Sequence, residues 1–361
     1  MSESAPPRRA ARRMVLLTDG YCDPVTAKTA SCLLRYCPDE VVAVLDGTAT
    51  GRTAADILGV GGAIPVIDRL AAAPGATELV IGIAPPGGRV PAAWRPVLLE
   101  ALGRGMTVVS GLHDFLADDP ELVAAATRHG GRIVDVRRND ERDVANRLGL
   151  REACTRLLTI GTDCSIGKMV AAVELTRALT RSGVDAKFIA TGQTGIMVEG
   201  DGCPIDRVIS DFVNGAVEKL VLAHQHHDVL VVEGQATITH PRYSAVSLGL
   251  LHGAQPHGMI LVHEPGRMHH GGLPHVALPS LPRTIAAYEH MAEFSGGGKV
   301  IAVALNTRLL DADTAARERR RIGTELGLPV ADPIRDGSDD LVDAVERFRA
   351  ARATAATTEA R

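Results

Sequence analysis

Residues 157–183, LLTIGTDCSIGKMVAAVELTRALTRSG, constrain the fold of this chain more than any other stretch. A short apolar run ends at Gly161, a polar loop follows, and Gly167-Lys168 opens a helical pattern. When an apolar strand passes through such a loop into a helix, the loop N–H groups converge on one point, where the helix N-terminus and a lysine add positive charge. That point suits a phosphate. The reading is a phosphate-binding loop built from Gly161, Thr162, Asp163, Cys164, Ser165, Ile166, Gly167, Lys168 and Met169, with Lys168 neutralising phosphate oxygens. Five residues separate Gly161 from Gly167, one more than in the common GxxxxGK form. Met169 occupies the place of the usual Ser or Thr, so the hydroxyl that such loops offer to Mg²⁺ is missing.

The surrounding pattern is that of parallel α/β sheets. MVLLTDG (14–20), EVVAVLD (40–46), ELVIGIAP (78–85), MTVVSGL (106–112) and RIVDVR (132–137) are short β-rich runs. Helical patterns such as 25–36 and 92–105 lie between them. Near-continuous apolar strands alternating with helices indicate a sheet covered on both faces, here a Rossmann-like domain. No GxGxxG fingerprint follows a strand; GVGGA (59–63) lies after a helix. The pattern restarts with strands at 157–161, 186–192, 229–234, 258–265 and 299–307, and with helices over 169–183, 212–225, 281–294 and 314–327. The expected organisation is a disordered tail at 1–13, a Rossmann-like domain at 14–148, a P-loop domain at 149–348 and a flexible tail at 349–361.

Composition narrows the function. The formal net charge is -4 and the sequence pI is about 6.4, so no basic surplus points to nucleic acid or an anionic membrane. Six scattered cysteines without CxxC pairing suggest neither a disulfide framework nor a zinc site. A cytoplasmic homo-oligomer acting on a small molecule is the expectation.

The loop beginning GTD resembles that of the dethiobiotin synthetase branch of P-loop enzymes, approximately GTDTxVGKT. Two further stretches agree with it in order. Lys187-Phe188-Ile189-Ala190-Thr191-Gly192 stands where that branch has KPxxTG or KPxxSG against its substrate, and Val232-Glu233-Gly234 stands where it has VEGAGG, whose glutamate helps hold Mg²⁺. From about residue 14 to 345 the chain more closely resembles the DUF1611 family, which joins a Rossmann-like domain to this P-loop domain. GTDCSIGKM, ATGQTGI, SDFVNG and VVEGQ carry that resemblance. D-Glutamate N-acetyltransferase activity is attributed to some members.

The resemblance implies catalytic roles for Lys168, Lys187 and Glu233, metal ligation by Asp211 and Glu233, and a nucleotide-base contact at Asn306. Asp211 also suits a helix cap near Phe212, and Lys187 suits an ordinary strand start. Thr191, Gln193 and Thr194 after the second strand, and Gln235, His240, Arg242 and Tyr243 after Glu233, are candidates to grip a carboxylate substrate or move a proton. His263-Glu264 and Arg267-Met268-His269-His270 follow the fourth strand, at a spacing that matches no zinc motif. His224, His226 and His227 end a helix, where cations complement its dipole.

Three functions follow. The first is ATP·Mg²⁺-dependent phosphoryl transfer that activates a small carboxylate for amide or lactam formation. The second is acetyl transfer from acetyl-CoA to an acidic amino acid such as D-glutamate, with the loop holding coenzyme A phosphates. The third is nucleotide binding without turnover.

Overall fold

The computed structural model describes residues 12–23, 26–85 and 87–359. Tail residues 1–11, Val25 of the first helical pattern, Pro86 and residues 360–361 lie outside them. The chain forms two compact units, divided between Arg138 and Asn139.

The first unit is a six-stranded parallel sheet made of β1 (Met14–Leu17), β2 (Val41–Leu45), β3 (Val66–Ile67), β4 (Glu78–Ile81), β5 (Thr107–Ser110) and β6 (Arg132–Asp135). Their order is β3-β2-β1-β4-β5-β6, that of a Rossmann fold. Val15, Leu17, Leu79, Ile81 and Val108 bury one face against Trp94, Leu98 and Leu102. The local signals are ordinary ones: Asp119 caps the helix Pro120–His129 through the N–H groups of Glu121 and Leu122, and left-handed Gly130 ends it. GVGGA begins with Gly59, which ends the short helix Ala54–Leu58 in left-handed geometry.

The second unit contains β7 (Thr155–Gly161), β8 (Ala186–Ile189), β9 (Val229–Val232), β10 (Gly258–His263), the short antiparallel pair β11 (His269–His270) and β12 (Leu273–Ala277), β13 (Lys299–Leu305) and β14 (Val330–Ala331). The main sheet runs β14-β13-β10-β7-β9-β8, all parallel. β7 is central and every residue of it is buried, as a strand covered on both faces requires. The carboxyl ends of β9 and β10 flank the loop that leaves β7, and β8 and β13 lie one strand further out. Ligands bind at this edge of such sheets.

Residues 139–148 belong to the second unit because buried Glu218 accepts the N–H groups of Asn146 and Arg147, each at 2.8 Å, and Arg147 also reaches Gln255. At the other end the helix Asp339–Glu359 runs through most of the expected 349–361 tail, with Arg352 bonded to Glu152 and Thr155.

Candidate functional site

The loop after β7 has the conformation its composition implies. Ser165 (φ +54°) and Gly167 (φ +104°) turn the backbone through left-handed geometry into the helix Lys168–Arg181, with Gly167 as its N-cap. Lys168 is buried and its Nζ donates to the carbonyl of Asp163 at 2.6 Å. Its chain lies over two glycines. A Cβ at Gly161 would stand 3.1 Å from Nζ, and one at Gly234 would stand 3.5 Å from Cδ. Met169 is half-buried and offers no oxygen ligand from its side chain.

Next to Lys168, at the end of β9, Glu233 is 5% exposed. Its Oε2 accepts the N–H groups of Thr191 at 3.0 Å and Gly192 at 3.1 Å, while Thr191 Oγ1 donates to the Glu233 carbonyl at 2.7 Å. Burial pushes the Glu233 carboxyl up to about 7, with Asp206 adding to the rise and the two amides and Lys168 opposing it. Gln235 Nε2 donates to Thr191 Oγ1 at 3.2 Å, and Gln193 Nε2 donates to Thr194 Oγ1 at 3.1 Å. Gln193 and Thr194 open a helix, Gln193–Glu199, that the sequence presents only as a polar run. Its glycine is required by close approach: a Cβ at Gly195 would lie 2.5 Å from Glu233 Oε2.

On the other side of the loop, Asp163 is fully buried and holds the turn after β10. It accepts from Arg267 Nη1 at 2.8 Å and from Gly271 N at 2.8 Å, and His270 Nδ1 lies 3.1 Å away. Burial alone would raise its carboxyl. The hydrogen bonds from Arg267, Cys164 N, Gly271 N and His270 outweigh it and hold Asp163 below the ordinary carboxylate range. Arg267 also bonds Glu264 at 2.7 Å and the Cys164 carbonyl at 3.3 Å, and Glu264 pairs with Arg308 at 3.3 Å. Asn306 donates to the Ile166 carbonyl at 3.1 Å, so it is docked on the phosphate loop itself. His263 shares a 3.1 Å contact with Thr162 Oγ1, and burial pushes its imidazole down to about 4, leaving it neutral at pH 7.

His240 is fully buried between Tyr243 and His270, each ring centroid 4.8 Å from its own. Its Nδ1 accepts Arg242 N–H at 3.1 Å, and its Nε2 faces Asp163 Oδ1 at 3.8 Å, with the Gly271 backbone also close to the ring. Burial and the neighbouring His270 hold it below its ordinary pKa. Arg242 is exposed and bonded to the Gly272 carbonyl at 3.3 Å.

Two sequence expectations need correction. Lys187 lies two residues short of the end of β8, and its ammonium is paired with Glu199 rather than directed at the loop. Asp211 is exposed in the turn Ser210–Phe212, and the acid that bears on Glu233 is Asp206. The expected oxygen donors are therefore few: Met169 offers no hydroxyl, Asp211 is exposed, and one oxygen of Glu233 is engaged by two amides. Among the described residues the one cluster of three metal-type ligands is Asp163, Cys164 and His240, which does not contain the expected pair. The Asp163–Arg267–Glu264 chain was not readable, because nothing in the sequence reveals that a loop aspartate turns its carboxylate inward.

Asp163→Asn is expected to destabilise the second unit by about 2 kcal/mol, since it removes the fully buried carboxylate that accepts from half-buried Arg267, from Gly271 N and from His270, and leaves Glu264 as the remaining partner of Arg267. Chemical denaturation at pH 7 measures this. Wild type should itself lose that contribution as pH falls through the depressed folded-state pKa of Asp163, whereas the variant should not.

A parallel sheet with a phosphate loop on its central strand, joined to a Rossmann-like unit, defines the class. The P-loop domain model of DUF1611, a domain of unknown function, matches residues 142–342, and the DUF1611_N Rossmann-like domain model matches residues 48–139. The chain belongs to the DUF1611 family. It is 38% identical over 269 residues to a D-glutamate N-acetyltransferase of Pseudoalteromonas sp, an alignment covering 74% of this chain and 81% of that one. A protein of the same description from Tritonibacter scottomollicae is 39% identical over 277 residues, covering 76% and 83%. A crystal structure of a DUF1611 family protein from Anabaena variabilis superposes with a TM-score of 0.88 at 40% identity, covering 93% of this chain and 99% of that one. Among the described residues no helix is long and apolar enough to cross a membrane.

Proposed function

We propose that this protein transfers an acetyl group from acetyl-CoA to the amino group of an acidic amino acid, of which D-glutamate is the first to test. The observation that carries this reading is the pairing of a phosphate loop whose Met169 lacks the usual metal-binding hydroxyl with Glu233, a buried carboxyl pushed up to about 7 that accepts the N–H groups of Thr191 and Gly192 beside Lys168. The description of relatives that align over about three quarters of the chain supports it. Coenzyme A carries a diphosphate that Lys168 and the loop N–H groups neutralise without Mg²⁺. An ammonium group must lose a proton before its nitrogen attacks a thioester, and a carboxylate titrating near pH 7 suits that task. Arg242, exposed after Glu233 in the chain, supplies charge for a substrate carboxylate.

The experiment is a thiol-release assay with acetyl-CoA and a panel of D- and L-amino acids. Release of coenzyme A with D-glutamate, unchanged within about twofold in EDTA, is expected. ADP and phosphate formed from ATP and a carboxylate, abolished by EDTA, would replace this reading with phosphoryl transfer. Tight nucleotide binding without turnover of either kind would leave only a binding protein.

A further inference from the structure

We infer that the turn after β13 binds the adenosine 3′-phosphate of coenzyme A, with Arg308 as the residue that holds it. This rests on the acetyl-transfer reading and concerns the one group of the donor that ATP lacks. The diphosphate of coenzyme A joins two halves, one carrying the acetyl group and the other an adenosine whose ribose bears a further phosphate. With the diphosphate on the loop after β7 and the acetyl group brought to Glu233 at the end of β9, the adenosine half is left to the opposite side of β7, where β10 and β13 end.

The end of β13 is a built turn. Buried Thr307 donates its N–H to Asp332 Oδ2 at 2.9 Å, and Arg335 donates to Thr307 Oγ1 at 3.0 Å and to the carbonyls of Thr307 at 3.2 Å and Leu310 at 2.8 Å. Asp332, buried as well, accepts the N–H groups of Ile334 and Arg335, each at 3.0 Å. Asn306, expected at a nucleotide base, is occupied in holding the loop: its Nδ2 donates to the Ile166 carbonyl at 3.1 Å and lies 3.4 Å from Glu264 Oε2, and its Oδ1 accepts Arg308 N at 3.4 Å. Recognition on this side therefore passes to Arg308 and its neighbours.

Arg308 is placed by the same carboxylate. Its Nη2 lies 3.3 Å from Glu264 Oε2, the oxygen that faces Asn306, so one carboxylate group separates the guanidinium from the amide docked on the phosphate loop. In coenzyme A one ribose separates the 3′-phosphate from the diphosphate. The side chain is 41% exposed, and among the described residues its Nε and Nη1 make no bond, which leaves two donors for phosphate oxygens. Glu264 opposes an anion, but its other oxygen takes bonds from Arg267 at 3.0 and 2.7 Å. Asp163 and Glu264 together stand against Arg267, Lys168 and Arg308, while Asp332 and Arg335 offset each other, so positive charge remains. Leu309, 74% exposed, and Ile334, 48% exposed, stand on the two turns that Arg335 ties together and offer apolar surface to the base.

Acetyl-CoA and acetyl-dephospho-CoA differ only by the 3′-phosphate and test this in the full-length protein with D-glutamate. Wild type should show kcat/KM lowered about 10–100-fold with the dephospho donor, the scale of a charge-assisted contact, through KM and with kcat within about twofold. Arg308→Ala should lose a similar factor with acetyl-CoA yet change less than about threefold with acetyl-dephospho-CoA, and it should melt close to wild type because the pair with Glu264 is partly exposed. Arg308→Lys should recover part of the preference. Calorimetric titration with coenzyme A and dephospho-coenzyme A, which needs no turnover, should show the same discrimination. Equal weakening of both donors in Arg308→Ala would make Arg308 a prop for Glu264 and Asn306 and overturn the subsite. Wild-type turnover indifferent to the 3′-phosphate would also remove the subsite while leaving acetyl transfer standing. An Arg308-dependent preference for coenzyme A in calorimetry, without acetyl transfer to any amino acid, would uphold the subsite and sink the acetyl-transfer reading. Failure of either molecule to bind would sink both.

Discussion

Glu233→Gln is expected to lower kcat/KM for acetyl transfer by about 10²–10⁴-fold, the contribution typical of a positioned general base, while leaving the affinity for coenzyme A nearly unchanged. The wild-type rate should rise with pH along a limb centred near 7, where the carboxyl titrates, and the residual activity of the variant should lack that limb. The same substitution should raise stability at alkaline pH. Because burial places the folded carboxyl near 7, against about 4.5 unfolded, the native state binds the proton more tightly. Stability is then lost as pH rises from the unfolded value through 7. Above pH 8 the buried charge costs on the order of 2–3 kcal/mol, and a neutral amide relieves that cost while still accepting from Thr191 and Gly192. Denaturant midpoints of the two proteins at pH 5 and pH 8.5 check the sign: the variant should gain only at the higher pH. A variant that loses activity and is also less stable at pH 8.5 would mark Glu233 as a structural carboxylate.

The elements around this site differed in how legible they were. β7, β9, β10 and β13 are apolar runs of four to seven residues covered on both faces, and such strands announce themselves. β3 and β14 have two residues each, too few to show a period. The helix Ser244–Ala254 reads as loop because Gly249 and Gly253 interrupt it. Those glycines are what its packing needs, since a Cβ at either would fall within 2.5 Å of Val213 or Asn214 on the neighbouring helix Val213–His224. The phosphate loop was readable because its chemistry is backbone chemistry, carried by glycine and lysine at fixed spacing. The partners of Asp163 were not, since Arg267, His270 and Gly271 lie more than 100 positions away. Lys187 misled for a geometric reason: a strand advances about 3.3 Å per residue, so a side chain two positions before the strand end is set back from the ligand edge.

Gly234→Ala is expected to have the largest effect on folding. Gly234 N donates to Thr159 Oγ1 at 2.9 Å, and Thr159 Oγ1 lies 3.4 Å from the Val232 carbonyl, so the chain leaving β9 is drawn tightly across β7. A Cβ at Gly234 would stand 1.6 Å from the Thr159 carbonyl oxygen. That obstacle is backbone of the central strand, buried on both faces, and no side-chain rotation relieves it. Either β9 moves away from β7, which opens the core and carries Glu233 off Thr191 and Gly192, or the second unit does not form. The loss should exceed about 4 kcal/mol, in the range reserved for severe backbone conflict and overpacking. Circular dichroism should show a lowered melting transition or lost cooperativity, with acetyl transfer lost in parallel. Gly183→Ala, at an exposed left-handed turn with nothing within 4 Å of its Cβ, should cost only about 1 kcal/mol and separates conformational strain from steric conflict. If Gly234→Ala melted within a few degrees of wild type, the close crossing of β9 over β7 would be wrong, and with it the placement of Glu233 beside Lys168.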